Sequence, residues 1–119
     1  MADHPDAVCP ISPTVEIVFG RWTTPILWVL HRHGRLRFHE IERLVGRITP
    51  KVLTQRLRQL ERDGLVSRTY FAEIPPRVEY EITELGLTLV PVFQTLVEWS
   101  DRHLEQVETA RGRYDRSLG

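Results

Sequence analysis

From Ile48 to Glu84 the chain spells a capped basic helix, a glycine stop and two short strands around a Pro-Pro-Arg tip. Thr49 can cap free backbone N–H groups, and Pro50 suits the first helical position because its missing N–H has no partner there. At roughly 100° per residue, Leu53, Leu57 and Leu60 form one inward stripe. Lys51, Gln55, Arg58 and Arg62 fall on the opposite face, with Thr54 and Gln59 beside them. Asp63-Gly64 ends the helix. Leu65 to Phe71 then reads as a strand, and Val78 to Ile82 alternates strictly, with Val78, Tyr80 and Ile82 inward. Between them Ala72 to Arg77 make a tip that Pro75-Pro76 stiffens. A helix for a DNA major groove followed by a β-hairpin for the adjacent backbone or minor groove is the order of a winged helix-turn-helix. The expected fold is therefore mainly α with a small β-hairpin, a winged helix-turn-helix with added N- and C-terminal helices.

The rest of the chain fits around this segment. Ser12-Pro13 and Thr24-Pro25 mark two more helix starts in the same way as Thr49-Pro50. The first helix is expected from Pro13 to Phe19 and the second from Pro25 to His33. In the second, Ile26, Leu27, Val29 and Leu30 are apolar nearly all round, so it should be a buried central helix. A third short helix over Phe38 to Val45 keeps Phe38, Ile41, Leu44 and Val45 on one face. Thr83 is placed to cap a long last helix, which Pro91 should kink. There Leu85, Leu89, Val92, Leu96, Trp99 and His103 recur at four- and three-residue steps, and Val90, Phe93, Val97 and Leu104 form a second stripe. Such a double seam is too wide for one small domain to cover, and a homodimer contact through Leu89, Val92, Phe93, Leu96 and Trp99 is its natural reading.

A chain of 119 residues fits one domain. It is read as residues 1–119, with a flexible N-terminus over about 1–8 and a polar, basic tail over about 109–119 that should fray. The neutral overall charge conceals segregation. Arg32 to Val78 holds eleven basic against five acidic residues, whereas Glu79 to Glu108 holds seven acidic against one Arg. Phosphate binding needs local positive potential, and the basic excess coincides with the helix–hairpin unit. A single Cys excludes an internal disulfide framework. With no apolar run of membrane-span length and no signal sequence, the expected location is cytoplasmic.

At the level of whole motifs the chain resembles the HxlR-type winged-helix transcriptional regulators. The resemblance is carried by Cys9-Pro10, Gly20-Arg21-Trp22, Pro50 to Leu57, Asp63-Gly64-Leu65-Val66, Pro75 to Tyr80 and Thr83-Glu84-Leu85-Gly86. It implies a homodimer built from the first and last helices, bound to near-palindromic double-stranded DNA. It also implies that some members sense aldehydes, quinones or other thiol-reactive small molecules through an N-terminal Cys. Members that join two different cysteines need two per chain, and this chain has only Cys9. An adduct, a mixed disulfide or a Cys9–Cys9 link between subunits remain as the options.

Thr49, Lys51, Thr54, Gln55 and Arg58 make the expected groove-facing surface. Gln55 suits adenine, Arg58 guanine, and Lys51 equally a phosphate. Arg77 either reaches a phosphate or the minor groove, or pairs with Glu79 or Glu73. Arg35 and Arg37 are either backbone clamps or solvated loop charges, and Arg56, nearer the core stripe, suits a structural ion pair. Trp22, Trp28, Phe19 and Trp99 either pack in the core or line an effector pocket. Cys9 is either a sensor or a small hydrophobe at the core edge. His31 and His33 do not share a helix face and complete no ligand spacing, so no metal is expected, and no cofactor. Glu40/Glu42 and Glu79/Glu81 read as solvated faces rather than catalytic pairs, and no nucleophile elbow or phosphate loop is present, so an enzyme is not expected. The alternative to a DNA-binding regulator, a repressor in its simplest form, is a protein-interaction module on the same scaffold.

Overall fold

Backbone contacts group the chain into two compact units, Met1–Leu87 and Thr88–Gly119, each described by itself. The computed structural model describes residues 10–18 and 20–119, so the expectations for Cys9, Phe19 and the N-terminal segment lie outside the described residues. In the first unit the order is α1 (Ser12–Val18), α2 (Thr23–His33), β1 (Leu36–Arg37), α3 (Phe38–Val45), α4 (Pro50–Arg62), β2 (Val66–Phe71), β3 (Arg77–Ile82) and α5 (Glu84–Leu87). The second unit holds α6 (Val90–Leu118).

Leucine and isoleucine from each helix of the central trio meet in the core. Ile26, Leu27 and Leu30 of α2, Ile41 of α3, and Leu53, Leu57 and Leu60 of α4 are all buried, with Leu36, Ile48, Leu65 and Val66 closing the edges. Each such side chain removed from water contributes about 1.5–3 kcal/mol, so the inward stripe of α4 fixes which face the helix leaves outside. The turn from α3 into α4 places Gly46 and Arg47 at φ 73° and 58°, a reversal that lets the two helices pack as a helix-turn-helix.

Helix boundaries here follow local chemistry, with one correction. Thr49 caps α4 as expected, its Oγ1 accepting the Val52 N–H at 3.2 Å. Thr24 does not cap α2. That helix begins two residues earlier than expected, at Thr23, and its first turn closes through backbone bonds from Thr23 N to Gly20 O and from Ile26 N to Trp22 O. The end of α4 is a Schellman turn: Gly64 N bonds Glu61 O at 3.1 Å and Leu65 N bonds Leu60 O at 2.9 Å, with Gly64 at φ 79° supplying the left-handed step.

The hairpin gains a third strand. The sheet order is β1-β3-β2, all antiparallel, with Leu36 opposite Tyr80 and Arg37 opposite Glu79. Two residues of β1 leave no periodicity to read. With β3 central, all six of its residues are half-buried, so strict alternation of inward and outward positions is not seen. Glu79 is correspondingly not a solvated acid.

The long last helix breaks in two. Thr83 caps only α5, its Oγ1 accepting Gly86 N at 3.0 Å while donating to Gly64 O at 2.6 Å. Gly86 is tight: a Cβ there would sit 2.5 Å from Leu65 O. Pro91 then starts α6 instead of kinking it, because a ring with no N–H breaks a helix interior but fits a first turn. Residues 109–118, expected to fray, continue α6 as helix.

Candidate nucleic-acid interface

Exposure on α4 follows from the buried leucine stripe. Lys51, Gln55, Arg58 and Arg62 are exposed along one side. No hydrogen bond or ion pair from the described residues occupies the side chains of Lys51, Gln55, Arg58 or Arg62, which leaves their donors free for a ligand. Thr54 is different: its hydroxyl donates back to Pro50 O at 2.8 Å, so only its oxygen lone pairs face outward. Arg56 donates to Gln59 Oε1 at 2.9 Å, a hydrogen bond within the helix rather than an ion pair.

A polar cleft of about 250 Å³ separates this helix from the wing, lined by Thr54, Arg58 and Glu61 of α4, Arg68 of β2 and Tyr80 of β3. Arg68 Nε lies 3.5 Å from Glu61 across it. Burial pushes the Tyr80 phenol above its ordinary pKa of 10.0, with Arg68 opposing that shift, so at neutral pH Tyr80 presents an O–H donor.

The wing cations are arranged otherwise. Arg77 Nη1 donates to both Glu73 carboxylate oxygens at 2.7 and 2.8 Å, and its guanidinium lies 4.0 Å over the Phe71 ring. Its Nε is 2.8 Å from Glu79 Oε2, an ion-pair contact whose angle leaves that buried N–H without a hydrogen bond. Arg35 reaches Glu79 at 3.6 Å and Glu81 at 3.1 Å. Of the two readings open for Arg77, the structure displays the pairing with Glu73 and Glu79. Arg35 is neither a loose loop charge nor free. Arg37 is exposed at the start of α3, where its N–H donates to Glu40 Oε1 at 2.8 Å.

The pairing of Arg35 with the acids of β3 is what sequence reasoning missed. It depends on strand register across more than forty residues, and nothing local signals it. Among the described residues no cluster of three His, Cys, Asp or Glu side chains could hold a metal ion, and no helix is long and apolar enough to cross a membrane. Trp22 and Trp28 lie under the guanidiniums of Arg21 and Arg32, and Trp99 sits beside His103, ring centroids 5.3 Å apart.

On α6 the second apolar stripe divides, its first two members buried and the later ones exposed. Val90 and Phe93 are buried, while Val92, Leu96, Val97, Trp99 and Leu104 are exposed. Phe93 is therefore not part of an open face, and Leu89 stands at the start of α6, half-buried.

A helix-turn-helix with a basic, unpaired recognition face and a three-stranded wing defines a DNA-binding regulator fold. The profile of the HxlR-like helix-turn-helix family matches residues 17–108, and the chain belongs to that family of transcriptional regulators, which are not enzymes. It is 42% identical over 107 residues to the uncharacterized HTH-type transcriptional regulator YkvN of Bacillus subtilis, covering 90% of this chain and 89% of that one. The redox regulator HypR in its reduced form superposes with a TM-score of 0.77 at 35% identity, covering 85% and 99% of the two chains. The reduced transcriptional regulator YodB from B. subtilis does so with a TM-score of 0.74 at 35% identity, covering 83% and 97%.

Proposed function

We propose that this regulator is a homodimeric, sequence-specific repressor that reads a near-palindromic operator with α4 and responds to a thiol-reactive small molecule. The observation that carries the DNA reading is the α4 face itself: Lys51, Gln55 and Arg58 exposed, aligned and unpaired beside the wing. An interaction module would present apolar residues there. Gln55 and Arg58 suit adenine and guanine edges, Lys51 and Arg37 suit phosphates, and Thr49 and Thr54 border the same surface. The site of action is then the cytoplasm, where bacterial or archaeal DNA lies.

Dimerisation is supported by the apolar face that α6 leaves open. Val92 is 42% exposed, Leu96 43% and Trp99 52%, one aligned stripe that a second copy would cover. Two recognition helices would then address half-sites one helical turn apart, roughly 34–36 Å. The effector reading is supported by two structural relatives, the redox regulator HypR and a diamide-treated form of YodB, together with Cys9 as the single thiol.

Selection from a random duplex pool should return a site with two half-sites, bound less tightly as salt rises. Leu96→Asp should sediment as a monomer and lose the operator, since an unpaired charge at an apolar contact costs several kcal/mol. A wild-type chain that stays monomeric at micromolar concentration removes the dimer. Operator release by a quinone or disulfide-forming oxidant, if equal in wild type and Cys9→Ser, removes the sensor.

A further inference from the structure

Five charged side chains meet on one side of the wing. Two are cations, Arg35 and Arg77, and three are anions, Glu73, Glu79 and Glu81, so the group carries a net charge opposite to the one DNA attracts. Glu79 stands at its centre. Its carboxylate touches both guanidiniums, and its side chain is 17% exposed against 50% for Glu73 and 47% for Glu81. Among the described residues each of those outer acids touches a single arginine.

The register of the sheet builds this arrangement. Pairing Arg37 with Glu79 and Leu36 with Tyr80 brings the approach to β1 alongside β3, which delivers Arg35 to Glu79 and Glu81. Pairing Phe71 with Arg77 places the guanidinium on the Phe71 ring. A phosphate approaching either arginine must displace a carboxylate already in place, whereas Lys51 and Arg58 on α4 have none to lose.

We infer that Glu79 is a positioning residue for specificity: it holds Arg35 and Arg77 inside the wing, out of reach of DNA phosphates. Arginine–phosphate contacts carry no sequence information. Each adds about 0.9 to the slope of log K against log salt, and they raise affinity for operator and random DNA alike. The ratio of those affinities, not either one alone, decides whether a regulator finds its site among many competitors. Keeping two arginines neutralised leaves discrimination to the α4 face. The inference rests on the DNA-binding reading proposed above.

Glu79→Gln keeps the shape of the side chain and removes its charge. The variant should elute later than wild type from heparin. It should also bind a random duplex several-fold more tightly at about 0.1 M salt, with a slope steeper by about 0.9 for each phosphate newly contacted. Its operator-to-random ratio should fall. Adding Arg77→Gln should reverse most of the gain, which a merely loosened wing would not do. Unchanged elution and slope, or weaker binding to both DNAs, overturns the inference. If Glu79→Gln does not fold, Glu81→Gln takes its place, with a smaller gain in the same direction expected and no gain overturning the idea. Heparin elution judges Glu79 even if wild type recognises no operator, an outcome that would instead count against the DNA reading.

Discussion

Two arginine-rich surfaces lie side by side in the first unit, and they differ in what their charges face. On α4, Lys51 and Arg58 point outward from a helix whose opposite side is buried leucine, and nothing within the described residues pairs them. In the wing, Arg35 and Arg77 are met by three carboxylates at 2.7–3.6 Å. Residue type is the same in both places; availability is not. A count of basic residues therefore overstates the binding surface, and pairing geometry separates cations that can recruit phosphate from cations that hold a hairpin together.

The largest effect expected from this contrast is at Arg58. Arg58→Ala should cost on the order of 1–3 kcal/mol of operator affinity and relax specificity at one base pair, with little change in thermal stability. Arg77→Ala should behave differently. Removing it leaves Glu73 uncompensated and Glu79 with Arg35 alone, so affinity should fall evenly across sequences, and stability should drop by about 1 kcal/mol through the lost pairing and the lost Phe71 contact. Binding titrations of both variants against operator and random duplex decide the matter. Two variants with the same profile would abolish the distinction between the surfaces.

The recognition face also depends on how α4 begins, which gives a second, smaller effect. Thr49 Oγ1 accepts from Val52 N at the start of the helix, two residues before Lys51 and six before Gln55. Thr49→Ala should lower stability by about 1 kcal/mol, read from urea unfolding. The operator should be bound more weakly wherever the first turn frays, while the wing pairs remain intact.

Much of this was legible before any coordinates. The leucine stripe of α4, its Thr-Pro cap and its Asp-Gly stop are local features, and local rules place them well. The α3 span is read correctly for the same reason. Three things were not legible. β1 is two residues long, and a strand that short has no period. The break ahead of α6 arises because Pro91 acts as a first-turn residue, whereas an uninterrupted apolar seam concealed the start. The place of Arg35 in the neutralised wing was hidden because Arg35 and Glu81 are 46 residues apart, brought together only by sheet register. Likewise Phe93 carried the right period for a seam, yet it is buried while Val97 and Leu104 of the same stripe are exposed, and period alone cannot say where along a stripe burial ends.

The smallest expected effect tests the boundary between the two surfaces. Glu61 on α4 and Arg68 on β2 face each other at 3.5 Å across the polar cleft, with side chains 40% and 45% exposed. Water and salt screen a pair this open, so its coupling should be below about 1 kcal/mol. A double-mutant cycle on Glu61→Gln and Arg68→Gln, followed by unfolding at low and high salt, should give a coupling that shrinks as salt rises. The single variants should differ in sign toward DNA. Glu61→Gln removes the only acid lining the cleft beside Arg58 and should tighten binding, whereas Arg68→Gln removes a cation there and should weaken it. A coupling of several kcal/mol would mean that Glu61 and Arg68 lock the wing to α4 as firmly as Glu79 holds the wing arginines. The cleft would then belong with the paired region and not with the open face.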